Sequence, residues 1–357
     1  MLYVLATISL AFLIAYYGTP LARLIAIRCK CFDVPDGKRK LHKAPVPYFG
    51  GLAIFAGFSA AFLLFSYLLT GNLPGELLVM FIGGAAICLL GLIDDMYGMR
   101  PMVKFIAQFG IAAFTAHYGF AIEYIALFDR TLRFGMFSEI VTIAWILVIL
   151  NAVNLIDGLD GLAGGISVLE SFALLITAVL MGNPVCAVAA AALCGASLGF
   201  LPFNFGKAVI FMGDAGAMFI GYILACVSVL GLFKSQALFS IIVPAMIFAL
   251  PVIDTVAAFF RRVIQGKSPF EADHQHIHHV LLENGFSVKQ SVVALMIASA
   301  MFCTASILYV KYHLISIAIF LLTVAYLALL KYDKHFLLRF KKKTMRGSTV
   351  HNTNETV

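Results

Sequence analysis

Charge is scarce in this sequence: Asp, Glu, Lys and Arg together make up 12% of the 357 residues, while 62% are hydrophobic. Soluble globular chains carry about a quarter charged residues and about half apolar, so that class is excluded. Tryptophan occurs once, and the seven cysteines show no CxxC spacing. Cys88, Cys194 and Cys226 lie inside apolar runs and read as small buried hydrophobes, so neither a disulfide framework nor a zinc site is implied. There is no low-complexity tract, no strong internal repeat and no stretch long enough for a soluble domain. The excess of base over acid, +7, comes without a basic stripe interleaved with aromatics, which argues against nucleic-acid binding.

What is present in quantity is long apolar runs, at about 3–27, 49–70, 76–93, 103–120, 138–156, 162–181, 185–203, 213–233, 237–260, 290–310 and 313–331. Each approaches the roughly 20 residues needed to cross a bilayer. The expected fold is all-α, a polytopic membrane bundle of about eleven crossings, forming one catalytic unit over 1–331 with a basic tail over 332–357. The first run has no basic residue ahead of it and is closed by Arg23, Arg28 and Lys30, which sets the amino terminus outside and the carboxyl terminus in the cytoplasm. All of the 25 Lys and Arg residues except Arg130, Arg133, Lys234 and Lys311 then fall on the cytoplasmic side. A multi-pass protein of a bacterial cytoplasmic membrane is expected, its charge reflecting topology and anionic lipid. The outer stretch from Ala121 to Phe137 is expected to form a short hairpin.

Under this topology the unusual polar residues gather on the cytoplasmic face. Asp94 and Asp95 end the third run, Asn151, Asn154, Asp157 and Asp160 end the fifth, Asn204 and Asp214 flank the turn between the seventh and eighth, and His274, His276, His278 and His279 lie between the ninth and tenth. Asn151, Asn154 and Asp157 are spaced by three, so they lean to one side of a helix before Gly158 and Gly161 let the backbone turn away. Two adjacent carboxylates at a helix C-terminus repel each other and oppose the helix dipole, so Asp94 and Asp95 call for a cation or a proton. A solvated helix end is the plainer alternative. With Asp157 and Asp214 these acids supply the hard oxygen ligands that magnesium or manganese prefers, which suggests a divalent metal holding a diphosphate. The histidines form no His-Glu-x-x-His motif and read as phosphate contacts or proton donors. His117 and His313 read as incidental, Glu170 and Asp254 as intramembrane acids, with Asp254 a candidate for a polar network between helices.

Together these motifs resemble the polyprenyl-phosphate N-acetylhexosamine-1-phosphate transferases, membrane enzymes that move a sugar-1-phosphate from a UDP-sugar to a lipid phosphate. The resemblance runs from about Asp33 to Gly285 and rests on Asp33-Val-Pro-Asp-Gly-Lys-Arg-Lys-Leu-His42 with Pro47 and Gly50-Gly51, Asp94-Asp95, Asn151 to Gly161, Phe211-Met-Gly-Asp214 and His274 to His279. It implies Asp214 as principal magnesium ligand, with Asp95 and Asp157 in the metal region, and Asp94 as the residue that engages the lipid phosphate or removes its proton. Asn154 and Asp157 would line the nucleotide and diphosphate, and Gly158, Leu159 and Asp160 would border the uracil on which Phe211 stacks. His278 and His279 match histidines near the phosphates; Asn151, Asn204, His274 and His276 would complete the substrate contacts, and Lys43 matches a lysine of one branch.

The sugar is read from the histidine loop. The branch that starts peptidoglycan resembles His-His-His-Phe-Glu there, whereas this chain has His276-Ile-His278-His279-Val, which is more like the branch that uses UDP-N-acetylglucosamine for O-antigen, common-antigen or teichoic-acid glycans. The expected partners are a UDP-sugar, undecaprenyl phosphate and the bilayer, a homodimer being compatible; UDP-N-acetylmuramoyl-pentapeptide or another UDP-N-acetylhexosamine is the alternative donor. A cation- or proton-coupled transporter is the reading from another class, but it would spread acids along a path through the bilayer and show internal symmetry.

Overall fold

The computed structural model describes residues 2–34, 44–127, 130–233, 241–266 and 275–332. The apolar runs form helices α1 (Leu2–Arg28), α2 (Gly50–Thr70), α3 (Gly75–Tyr97), α4 (Pro101–Tyr118), α5 (Ser138–Ile156), α6 (Leu162–Leu180), α7 (Pro184–Asn204) and α8 (Gly213–Ser228), the last continuing as one π turn, Val229–Phe233. They are followed by α9 (Ile242–Ile247), α10 (Ala249–Ile264), α11 (Ile277–Glu283), α12 (Val288–Tyr309) and α13 (His313–Tyr332). Two hairpins complete the fold: β1 (Phe32–Asp33) pairs antiparallel with β2 (Val46–Pro47), and β3 (Tyr124–Leu127) with β4 (Arg130–Arg133). The second is the hairpin expected between Ala121 and Phe137.

The chain is an all-α polytopic membrane protein. Among the described residues nine helical stretches are long and apolar enough to cross a bilayer: α1, α2, α3, Gly135–Ile156, α6, α7, Gly213–Gly231, α12 and α13. Two of the eleven expected crossings are not in that set. The run at 103–120 is α4, where Lys104 and Gln108 lower the apolar character of an 18-residue helix packed between α3 and α5. The run at 237–260 breaks at Phe248 into α9 and α10, each with a proline in its first turn, Pro244 and Pro251, that cannot donate to the turn before it.

Helix α8 is the axis. It is buried almost throughout, with α2, α3 and α5 around it. Such a helix, apolar on all sides, belongs at the centre of a bundle. Small residues let backbones approach where lipid provides no hydrophobic drive. A Cβ on Gly91 of α3 would overlap the backbone of Ala215, and one on Gly51 of α2 would overlap the amide of Gly216. The Tyr222 hydroxyl bonds that of Thr115 at 2.7 Å, tying α8 to α4 inside the bundle. Glu170 of α6 is wholly buried, and both its carboxyl oxygens are without a hydrogen-bond partner among the described residues.

Successive helices bring alternate ends to one level. The C-terminal ends of α1, α3, α5 and α7 meet the N-terminal ends of α2, α4, α6 and α8 there. The Gly50 and Gly51 amides donate to the carbonyls of Phe211 and Met212 at 2.9 Å, and Arg23 Nε donates to the Val209 carbonyl at 3.1 Å.

Candidate active site

The acids collected from separate runs converge at that end of the bundle. Asp94, in the last turn of α3, accepts from the Met99 amide at 2.5 Å and from Lys104 Nζ at 2.8 Å. The same ammonium group donates to Asp214 Oδ2 at 2.6 Å, in the first turn of α8. One cation therefore bridges carboxylates 120 residues apart in sequence. Lys104 is not among the candidates that the sequence singles out. The signal was a lone lysine one turn inside a mostly apolar helix, ten residues after Asp94.

Asp95 faces the other way. Its two oxygens accept from the Asp214 amide at 2.8 Å and the Ala215 amide at 3.2 Å, so it caps the N-terminus of α8, where a negative charge is favoured. The chain enters α8 through Gly213 at φ 70, a left-handed conformation that glycine adopts without cost. A side chain there would also strike the Asp95 carboxylate. The pair expected to repel is thus split between an ammonium group and a helix end.

Asp157 follows α5 where the helix ends. Its carboxyl is pushed up to about 8, first by burial and then by the charges of Asp214, Asp95 and Asp160. It lies within the field of the same acids, and among the described residues no cation pairs with it. Asp160 Oδ2 accepts from the Ala208 amide at 3.0 Å. Asn204 is buried, accepting from the Gly161 amide at 2.9 Å and donating to the Ile210 carbonyl at 3.0 Å. Asp160 and Asn204 thus fasten the Asp157–Gly161 turn to the segment leading into α8. Asn151 donates to Gln108 Oε1 at 3.0 Å and to the Leu147 carbonyl at 2.8 Å, while Asn154 is partly exposed. Leu159 is buried, and Phe211 is partly exposed, its ring 6.1 Å from that of Tyr48.

The histidines stack beside this turn. His276 and His278 lie with rings parallel and centroids 5.7 Å apart, and His279 is 4.2 Å from His278. A Cβ on Gly158 would overlap His278 Nε2, so the imidazole rests on the backbone next to Asp157. Burial, then His279, lowers the His278 pKa to about 3, so the ring is neutral at physiological pH. Lys43 and His274 lie outside the described residues.

The donor set suits a divalent cation. Among the described residues, Asp94, Asp95, Asp157 and Asp214 outnumber the one ammonium group placed among them, and all offer carboxylate oxygen. Among the described residues no three His, Cys, Asp or Glu side chains already surround one point. Magnesium commonly takes only one or two carboxylates and completes its shell with water and phosphate, so the arrangement fits that ion without a preformed cage.

Comparison with known proteins agrees in extent and in kind. The profile described as "Glycosyl transferase family 4" matches residues 77–232, which span Asp94, Asp95, Asp157 and Asp214. A Bacillus subtilis protein, "Probable undecaprenyl-phosphate N-acetylglucosaminyl 1-phosphate transferase", is 36% identical over 292 residues, covering 81% of this chain and 80% of that one. "Decaprenyl-phosphate N-acetylglucosaminephosphotransferase" of Mycolicibacterium smegmatis is 34% identical, covering 79% and 76%. "Undecaprenyl-phosphate alpha-N-acetylglucosaminyl 1-phosphate transferase" of Yersinia pestis is 28% identical, covering 92% of each.

Proposed function

The chain belongs to glycosyl transferase family 4, and from this membership we propose that it transfers N-acetylglucosamine-1-phosphate from UDP-N-acetylglucosamine to undecaprenyl phosphate, releasing UMP. The observation that carries the reading is the meeting of Asp94, Asp214 and Lys104 with Asp157 and the histidine stack at one end of the bundle. A membrane enzyme acting on a lipid phosphate needs its polar groups at a bilayer face, and the positive-inside rule sets this face in the cytoplasm.

The chemistry is phosphoryl transfer. An oxygen of the lipid phosphate forms a bond to the sugar-linked phosphorus as the bond from that phosphorus to the UMP oxygen breaks. Such reactions depend on positioning and charge neutralisation more than on covalent work by the protein. Lys104 holds Asp94 and Asp214 at a fixed separation and offers positive charge where two anions must meet. Both Asp94 oxygens already accept hydrogen bonds, which engages the carboxylate and favours a role as base or orienting group over one as nucleophile. Magnesium, held by Asp214 and Asp157, would neutralise charge on the donor diphosphate and the departing UMP. His278, neutral, and His279 beside it would donate hydrogen bonds to phosphate oxygens, and Phe211 offers a partly exposed ring for the base.

The test is UMP release by purified protein given undecaprenyl phosphate, magnesium and each of several UDP-sugars. Turnover with UDP-N-acetylglucosamine is expected, to fall at least about a hundredfold in Asp214→Asn and Asp94→Asn with the fold retained and to stop with chelator. Turnover of UDP-N-acetylmuramoyl-pentapeptide alone would reassign the donor, and unchanged release in both variants would refute the site.

A further inference from the structure

Asp254 lies in the second turn of α10, is almost fully buried, and is not used by the chemistry above. Its Oδ2 is 2.8 Å from His276 Nδ1 and its Oδ1 accepts from the Ile277 amide at 3.0 Å. One carboxylate therefore binds both the ring and the backbone at the start of α11. Opposite a carboxylate, His276 Nδ1 carries the proton, which sets the tautomer and the ring plane. Arg261, two turns further along α10, donates to the Gln275 carbonyl at 3.0 Å. The two side chains fasten residues 275–277 to α10, which itself packs on α5 and α12.

The consequence reaches the site through the ring stack. His278 follows His276 by two residues, its ring parallel to that of His276 and lodged against Gly158. Its Nδ1 is buried without a partner among the described residues, so no hydrogen bond of its own at that atom fixes the ring. Its orientation is set by the stack and by where α11 begins. We propose that Asp254 is a positioning residue for the transfer reaction: by holding His276 and the Ile277 amide it registers α11 so that His278 stands beside Asp157 and Gly158. A shift of about 1 Å in a group that contacts substrate is enough to cost up to a hundredfold in rate.

This inference rests on the transferase reading, and the experiment separates the two. Full-length protein in lipid nanodiscs is assayed for UMP release from UDP-N-acetylglucosamine as wild type, Asp254→Asn, Asp254→Glu, His278→Asn and the double variant Asp254→Asn/His278→Asn. Positioning predicts a kcat lower by tenfold or more in Asp254→Asn, with KM for the UDP-sugar within threefold. It also predicts that the double variant is no slower than His278→Asn, because the two changes remove one function. Asp254→Glu, which keeps the charge but moves it by one methylene, is expected to be slowed as well, and it decides the matter if Asp254→Asn does not fold. An active wild type with unaltered kcat in the folded Asp254 variants, or multiplicative losses in the double variant, would overturn the proposal alone. No turnover by wild type would overturn the transferase reading and this inference with it.

Discussion

Removing Lys104 does more than remove a positive charge. Its ammonium group is shared by Asp94 and Asp214, all three side chains being largely shielded from water. Without it two carboxylates face each other across the gap, and like charges at such range are held apart or protonated. Lys104→Met keeps the length of the aliphatic stem and deletes the charge. Its kcat is expected to fall by roughly a hundredfold, the scale seen when one preorganised electrostatic group is deleted. The Asp94→Asn/Lys104→Met double variant is expected to be about as slow as the slower single one, since the two act as a unit. Steady-state UMP release checks both, and activity within threefold of wild type in Lys104→Met would show that the bridge is structural only. Asp94, Asp157 and Asp214 stand out in sequence because acids are rare among apolar runs, whereas Lys104 gains its meaning from α4 packing against α3 and α8. That pairing depends on tertiary structure and leaves no local mark.

At the scale of elements, the site depends on how closely α3 approaches α8. Asp95 can cap α8 because Gly91, one turn earlier, lets the α3 backbone lie against Ala215. Gly91→Ala would set its methyl into backbone, which cannot move aside as a side chain does. Overpacking of this kind costs about 1–3 kcal/mol and here also pulls Asp95 away from the Asp214 amide. The expected result is a lower thermal midpoint together with loss of UMP release, whereas Gly110→Ala, a position on α4 with open space, is expected to change neither. Thermal unfolding by intrinsic fluorescence beside the activity assay makes the comparison. Long apolar runs located these helices well, because length and apolarity are properties of each segment. They did not show that α9 and α10 are separate, since Pro244 and Pro251 mark places where a helix can break without determining whether it does. They left Asp254 as a candidate for an interhelical network, and the structure supplies the partner, His276, from a segment that contains no span. The Asp94–Asp95 pair was legible as a concentration of charge but not as a division of labour, which follows from the direction each carboxylate takes at the end of α3.

For the molecule as a whole, the distribution of basic residues bears on which membrane face carries the site. Alternation of the helices puts Arg23, Arg28, Lys30, Arg100, Lys207 and Lys331 at the end where Asp94, Asp157 and Asp214 meet, and Arg133 and Lys311 at the other. By the positive-inside rule the first end is expected to face the cytoplasm. The cysteines provide a native probe of this assignment. Cys29, just beyond α1 at the site end, is exposed, and the other six are buried. Cys31, two residues on, donates its thiol to the Asp95 carbonyl at 3.5 Å, which fixes this segment to the site, and burial pushes that thiol up to about 11. The thiolate is the reacting form, so Cys31 is a poor competitor for a thiol reagent. A membrane-impermeant maleimide is therefore expected to label the protein in inverted membrane vesicles and not in intact spheroplasts, and Cys29→Ser is expected to abolish the signal. Labelling of intact spheroplasts would put the carboxylates and the histidine stack on the outer surface, where a nucleotide-sugar held inside the cell could not reach them.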